Sequence, residues 1–191
     1  MGTADERLRQ TSLMAHTAFQ HHVIVTESEG RWLLQRDRKW AYAAEIIALA
    51  NGALFVGGDI SHVVFGYGPN DPIARVRWIG ECEDLGYYVA EKARIGTGAE
   101  LVDQWLDDIA QHELRAFVAD NPERVVDHDA LEDALEQEER HDFTRLAAGA
   151  LDDGWEVVGA MGEILAPRVV YAHAALARLC VLLREREKGA G

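Results

Sequence analysis

Cysteine is scarce in this chain of 191 residues, which contains only Cys82 and Cys180. A disulfide framework needs an even set of regularly spaced cysteines, and a structural zinc site takes paired Cys or His ligands. Cys82 lies in a polar stretch and Cys180 in an apolar one, far apart in the sequence. We therefore expect two free thiols in a reducing compartment, with neither a disulfide nor a metal site.

A long uninterrupted apolar run is also missing. The most apolar window, residues 164–183, contains Pro167, His173 and Arg178. Residues of these types are costly in the centre of a membrane span, so the window predicts a buried helix. Residues 1–20 lack the apolar segment of a signal peptide. We expect a cytoplasmic protein with no membrane contact.

Sequence motifs of known catalytic sites are absent as well. The only serines are Ser12, Ser28 and Ser61, and none lies in a GxSxG or SxxK motif. No histidine belongs to an HExxH motif, and the adjacent His21 and His22 would point to opposite faces of a strand. We expect no cofactor, and we interpret the chain as a binding protein more readily than as an enzyme.

Carboxylates, by contrast, are abundant and concentrated. The net charge is −14, and residues 99–142 alone hold 15 acids and 3 bases. Residues 1–98 hold 12 acids and 10 bases, and residues 143–191 hold 6 of each. Such a surface repels DNA, RNA and anionic membranes, so direct nucleic-acid binding is not expected and a basic partner is favoured.

The first half of the chain predicts one helix followed by short antiparallel strands. The helix covers residues 4–19, where apolar residues recur at helical spacing. Residues 28–30 and Asn51-Gly52 are turn signals between runs of β-branched and aromatic residues. The predicted strands are residues 22–27 and 31–37, forming one hairpin, residues 41–49 and 53–60, forming a second, and residues 63–65.

The second half predicts helices. Apolar residues recur at helical spacing over residues 84–95, 99–119 and 129–140, the last extending as far as residue 151, and Pro167 suits the first turn of a terminal helix. Strands in front and helices behind favour an α+β fold over alternating α/β. We expect a single domain, residues 1–191, with the sheet in 1–98 and a helical part in 99–191 that is acidic over 99–142.

The acidic helices supply the main candidate site. Like charges at i,i+4 cost about 0.2–0.5 kcal/mol per pair. One interpretation is a solvated face on an acidic protein. The other is a docking face whose carboxylates imitate the charge pattern of nucleic acid and fit a basic groove. The candidate partner-binding residues are Glu100, Asp103, Asp107, Asp108, Asp129, Glu132, Asp133, Glu136 and Glu139.

A second candidate site lies near the second hairpin. Glu45, Asp59 and His62 are polar residues in or beside predicted strands and could serve a small enzyme or a nucleotide-binding protein. Asp59 follows Gly57-Gly58, which is neither a P-loop nor a dinucleotide-binding fingerprint. The alternative is that Asp59 bonds the backbone of a turn or bulge.

Segments along most of the chain resemble a family of small proteins encoded by bacteriophages and prophages. The resembling segments are residues 42–60 with Glu45, Asn51-Gly52 and Gly58-Asp59-Ile60, then Val64-Phe65, Trp78-Ile79-Gly80, Asp84-Leu85-Gly86-Tyr87-Tyr88 with Glu91-Lys92, and Pro167-Arg168-Val169-Val170-Tyr171-Ala172-His173-Ala174-Ala175-Leu176. The resemblance supplies no catalytic residues. It implies an accessory protein, acting in the cytoplasm of a bacterial host, that binds host machinery as inhibitors of CRISPR–Cas do.

These observations lead to three hypotheses. The first is a phage counter-defence protein that inhibits a host protein or nucleoprotein complex with a basic surface. The second is a small phage enzyme or nucleotide-binding protein. The third is a structural or regulatory homo-oligomer. Each belongs to a different functional class, and the sequence leaves the oligomeric state and the identity of the partner open.

Overall fold

The structure, a computed structural model, describes residues 3–36, 39–59 and 61–189, with side chains described except at 39–42, 99 and 100. The chain divides into two compact units. We call residues 8–102 with 165–191 the sheet unit, and residues 1–7 with 103–164 the helical unit. The expectation of a single domain stays a prediction.

The sheet unit is built on five antiparallel strands in sequential order, as the front half of the sequence predicts. Both predicted hairpins are confirmed, and each strand pairs with the next along the chain. Gly52 adopts a positive φ of 88° in the turn between the second pair, a conformation for which glycine is suited. The strands are β1 (His22–Ser28), β2 (Arg31–Arg36), β3 (Lys39–Ala48), β4 (Leu54–Gly58) and β5 (Val63–Phe65).

One face of this sheet is buried because side chains alternate along each strand. Trp32 and Leu34 on β2, and Val63 and Phe65 on β5, are at most 2% exposed. Helices that lie wholly or mostly in the same unit contribute to the same core cluster: α1 (Ala4–Phe19, in this unit from Leu8), α2 (Pro72–Gly80), α3 (Ala90–Thr97), the short α4 (Ala99–Val102) and α9 (Pro167–Gly189). The α+β class is therefore confirmed.

Helix α9 was grouped with the acidic helices on sequence grounds, but it belongs to the sheet unit. It begins at Pro167, as predicted, and packs against α2, β1, β3 and β5. Buried residues occur almost all around its first four turns, which explains why the window looked nearly as apolar as a membrane span. Among the described residues, no helix is long and apolar enough to cross a membrane.

Two features near α2 were not predicted. Sequence reasoning missed α2 itself, although Asp71 caps it, accepting a hydrogen bond from the Ala74 N–H at 2.6 Å, and Pro72 occupies the first turn. The predicted helix over 84–95 begins as a π-helical turn, Leu85–Val89, before α3. That turn places the Tyr88 hydroxyl 2.7 Å from the indole N–H of Trp78.

The guanidinium of Arg75 is buried in the sheet unit, and no carboxylate among the described residues pairs with it. Arg75 is 3% exposed. Its N–H groups donate to the carbonyl oxygens of Pro69 (2.7 Å), Leu49 (2.6 Å), Ala53 (3.0 Å) and Asn70 (3.1 Å). The guanidinium thus joins the turn after β3 to the loop before α2, and the Leu49 and Ala53 carbonyls accept from it in addition to a backbone N–H.

The helical unit has its own core around Phe143, Leu114, Ala134 and Ala147. Its strands β6 (Asp103–Trp105) and β7 (Glu163–Leu165) pair as a two-stranded sheet. Its helices are α5 (Asp107–Asp120), a 3-10 turn (Pro122–Arg124), α6 (His128–Leu135), α7 (Arg140–Ala150) and α8 (Gly154–Val158).

The predicted helix over residues 99–119 is wrong in its first part. The chain forms α4, then leaves the helix for β6 and resumes at α5. Tertiary partners explain the interruption: the Leu106 N–H donates to the Gly162 carbonyl at 2.9 Å, and the Trp105 indole N–H donates to the Met161 carbonyl at 3.0 Å. Pairing with β7 outweighs the helical preference of this segment.

The predicted helix over residues 129–140, extended toward 151, is two helices. Helix α6 ends at Leu135, and α7 begins at Arg140. The connecting residues 136–139 are Glu-Gln-Glu-Glu, which offer nothing apolar to bury. Because α6 and α7 pack against each other, the chain reverses at this polar point.

Candidate functional site

Four carboxylates lie on one face formed by α6 and its C-cap residue, Glu136. Asp129, Glu132, Asp133 and Glu136 follow the spacing i, i+3, i+4, i+7, which places them on one side of a helix. All four are exposed, whereas the buried residues of α6 occupy the opposite side. We call these four residues the acidic face. The structure places these four carboxylates on one exposed surface, as their spacing in the sequence predicts.

The acidic face carries uncompensated charge. Across the parts of the chain that the structure describes, no lysine, arginine or histidine forms an ion pair with any of its four carboxylates. The N-cap of α6 is a different residue, Asp127, which accepts from the Ala130 N–H at 3.0 Å. Capping therefore accounts for Asp127 and the helix dipole favours Asp129 in the first turn, whereas neither gives a structural role to Glu132, Asp133 or Glu136.

The other predicted partner-binding residues lie elsewhere. Asp107 and Asp108 are half-buried in the first turn of α5, where negative charge suits the helix dipole, and Asp108 pairs with Arg7 at 2.8 Å. Asp103 is half-buried on β6 rather than helical. Glu100 belongs to α4, but its side chain lies outside the described residues. The nine candidates thus do not share one helical surface.

The second candidate site is occupied by structural contacts. The guanidinium of Arg31 donates to the Glu45 carboxylate at 2.7 Å, across the β2–β3 pair. The Asp59 carboxylate accepts from the backbone N–H of Ala43 at 3.0 Å, so the backbone-bonding alternative is confirmed. His62 is exposed. Among the described residues there is no group of three or more His, Cys, Asp or Glu that could hold a metal ion.

A pocket that sequence reasoning missed lies in the helical unit. Its volume is about 750 Å³, and it is lined by Glu139, Arg140, His141, Thr144, Arg145 and Trp155. Helix α7 supplies its basic and hydroxyl groups from adjacent positions, and α8 supplies the indole. Of the candidates named from sequence, only Glu139 borders it. An exposed tryptophan just beyond Asp153-Gly154 was the one signal that could have found it.

Each arginine of the pocket has a carboxylate nearby. Arg140 pairs with Glu163 of β7, and Arg145 lies 3.6 Å from the Asp142 carboxylate. The Trp155 side chain itself is 67% exposed. Glu139 occupies the N-cap position of α7 without capping it through its side chain. The pocket therefore combines two positioned guanidinium groups, a hydroxyl and an aromatic surface.

Titratable groups inside the sheet unit are structural. His173 is buried and its Nε2 donates to the Cys82 carbonyl oxygen at 3.0 Å, whereas its buried Nδ1 has no hydrogen-bond partner among the described residues. Burial lowers the pKa of His173. Burial also raises the pKa of the Cys180 thiol to about 12, which leaves it protonated and unreactive.

No family model, no curated protein and no solved structure matches this chain.

Proposed function

We propose that the protein is a binding protein that docks its acidic face onto a basic surface of another protein. The observation that carries the proposal is the acidic face itself: four exposed carboxylates on one side of α6, opposite its buried residues and without ion pairs among the described parts of the chain. Apart from the favourable position of Asp129 in the first turn, the acidic face thus carries charge that has no partner within the described fold.

The energetics favour a role outside the fold. Like charges at i,i+3 and i,i+4 on the same helix cost about 0.2–0.5 kcal/mol per pair, and lysines at some of these positions would remove that cost. A basic partner converts the repulsion into attraction and speeds encounter by electrostatic steering. The like charges of the acidic face thus repel one another in the free protein and attract a basic partner in a complex.

The partner class that we propose is a host defence complex in the bacterial cytoplasm, one whose basic groove normally holds nucleic acid. This part of the proposal depends on the resemblance to small phage proteins. A row of carboxylates on a rigid helix can occupy such a groove and exclude the nucleic acid by charge competition. Inhibition would require no catalytic residue and no cofactor.

The test compares two triple variants with the same change in net charge. Glu132→Lys, Asp133→Lys and Glu136→Lys reverse most of the acidic face. Asp120→Lys, Glu123→Lys and Glu156→Lys reverse three exposed carboxylates elsewhere in the helical unit. Each protein is tagged, expressed in a bacterium with an active CRISPR–Cas system, and recovered with its bound proteins. The plating efficiency of a targeted phage is measured in parallel.

We expect the unaltered protein to retain a basic partner, in an amount that falls steeply as salt rises, and to raise plating efficiency. The acidic-face variant should lose both effects, while the matched variant keeps them. Equal loss in both variants would mean that net charge, not the acidic face, is responsible. Retention unaffected by the acidic-face variant would refute the docking proposal. Retention of a partner without any gain in plating would preserve docking and reject the counter-defence role.

A further inference from the structure

The pocket bordered by α7 and Trp155 concentrates the few cations of the helical unit. That unit contains 20 acids, five arginines and no lysine. Two of the five, Arg140 and Arg145, line the pocket. Of the others, Arg7 pairs with Asp108, Arg124 lies 5.5 Å from the ring centre of Phe117, and Arg115 is exposed on α5. Cations are rare here, and the pocket holds a disproportionate share.

Both arginines keep hydrogen-bonding capacity to spare. A guanidinium has five N–H donors. Arg140 and Arg145 each have a single carboxylate partner, Glu163 and Asp142 respectively, and their side chains are about half exposed. These ion pairs use only part of that capacity, and the remaining donors can bind an anion. A phosphate group suits a site lined by two guanidinium groups because it accepts several hydrogen bonds at once.

The remaining lining residues add three compatible features. The Trp155 indole offers an exposed aromatic surface on which a base can stack. Thr144 contributes a hydroxyl one turn beyond Arg140 on the same helix. The Glu139 carboxylate, the one negative group in the lining, is of the type that accepts hydrogen bonds from ribose hydroxyls.

We propose that this pocket binds a nucleoside monophosphate, with the base on Trp155, the phosphate on Arg140 and Arg145, and the ribose toward Glu139. The volume of about 750 Å³ lies within the 300–1,000 Å³ typical of small-molecule sites. A polynucleotide is disfavoured because the surrounding unit is strongly acidic. The site is independent of the acidic face and lies outside the hairpin region considered from the sequence.

Isothermal titration calorimetry on the full chain tests the proposal with AMP, GMP, CMP and UMP, each compared with its nucleoside and with inorganic phosphate. We expect saturable one-to-one binding of at least one monophosphate, about tenfold or more tighter than its nucleoside or phosphate alone. Trp155→Ala and Arg145→Gln should each weaken that binding about tenfold. Arg115→Gln, which removes an exposed arginine of the same unit, should leave it unchanged.

Three results would overturn the proposal. The first is the absence of saturable heat with all four monophosphates. The second is a nucleoside or inorganic phosphate that binds as tightly as the corresponding monophosphate. The third is unchanged affinity in Trp155→Ala, whose circular dichroism spectrum shows that it is folded. If Arg140→Gln unfolds through loss of its pair with Glu163, Arg145→Gln still tests the phosphate contact, because Arg145 pairs only within α7.

Discussion

The two units of the chain differ most in what they do with charge. The helical unit holds 20 acids and 5 bases, a net charge of −15, whereas the sheet unit holds 13 acids and 14 bases, a net charge of +1. The whole excess of negative charge thus belongs to one unit. If the whole sequence were uniformly enriched in acids, both units would carry excess negative charge. The difference indicates that the surfaces of the two units have different roles.

The pairing of those charges differs as well. In the sheet unit, Arg186 pairs with Glu27, Arg184 pairs with Glu81 at 2.7 Å, and Arg75 is buried among carbonyls. The Arg186 contact lowers the pKa of Glu27. In the helical unit the acidic face has no such partners among the described residues. Ion pairs occur in both units, since Arg7 pairs with Asp108 and Arg140 with Glu163 in the helical unit, but the acidic face differs from the carboxylates of the sheet unit named here in having none among the described residues.

The largest effect should come from removing a core aromatic of one unit. Phe143→Ala deletes a fully buried ring that packs 5.8 Å from the Trp105 ring, and should cost about 3–5 kcal/mol of unfolding free energy. Because the two core clusters share no residue, we expect amide exchange to accelerate mainly in residues 107–158. Phe65→Ala is the matched change in the sheet unit and should accelerate mainly residues 22–65.

Hydrogen-exchange mass spectrometry distinguishes the outcomes. If either variant lowers protection equally in both units, the chain unfolds as one cooperative block. The two units would then differ in the charge of their surfaces but would not unfold separately.

The second prediction concerns the buried arginine of the sheet unit. Arg75→Lys keeps the charge but replaces a fork of donors with a single ammonium group, which cannot reach all four carbonyls. We expect a loss of about 3 kcal/mol, since several charge-assisted hydrogen bonds from the guanidinium to these carbonyls would be lost. Arg9→Lys, at an exposed position of α1, is the control and should change little. Urea denaturation measures both. A loss as small as that of the control would mean that water replaces the guanidinium donors.

The third prediction concerns the close contact of α2 and α9. A Cβ atom on Gly80 would lie 2.8 Å from the backbone carbonyl of Leu176 and from the Cys180 Sγ atom. Gly80→Ala should therefore push the helices apart and cost about 1–3 kcal/mol, despite the better helix propensity of alanine. Thermal unfolding provides the measurement, and an unchanged or raised Tm would show that α9 can shift without loss.

Much of the sheet unit could be predicted from sequence because its signals are local. Runs of β-branched residues separated by Ser28-Glu29-Gly30 and Asn51-Gly52 specify both hairpins, and Pro167 marks the start of α9. The helical unit was harder because partners distant in sequence decide its structure. The sequence around residues 103–105 contains no local signal that this segment forms a strand paired with residues 163–165.

The acidic face and the pocket also differ in how far sequence could predict them. The four residues of the acidic face follow from spacing along one helix, but the sequence also grouped them with Glu139 and with acids before residue 109 that the structure places elsewhere. The pocket requires Trp155 to meet Arg140 and Arg145 from another helix, and that meeting depends on how α7 and α8 pack. Asp108 looked like part of the acidic surface because its partner Arg7 is about a hundred residues away, farther than helical spacing can anticipate.

The fourth prediction uses pH to examine the buried histidine of the sheet unit. Burial holds the pKa of His173 below its ordinary value of 6.5. As pH falls below about 6.5, the unfolded chain takes up a proton that the folded state refuses, so stability should fall. His173→Gln should flatten this dependence between pH 7.5 and 5.5, whereas His141→Gln, whose side chain is 89% exposed, should not. Tm against pH measures it, and a profile unchanged in His173→Gln would contradict the assignment.

The smallest effect, and the only stabilising one, is expected in the helical unit. Gly149 lies in the last turn of α7, and a Cβ there would meet no atom within 4 Å. Gly149→Ala should raise the unfolding free energy by about 0.5–1 kcal/mol, because alanine loses less backbone entropy in a helix. Gly80→Ala makes the same change in α2 with the opposite expected sign, so urea midpoints of the two variants separate packing from propensity. Destabilisation by Gly149→Ala would mean that a Cβ atom at this position does meet other atoms in solution. The open space beside Gly149 would then be a contact surface of the helical unit.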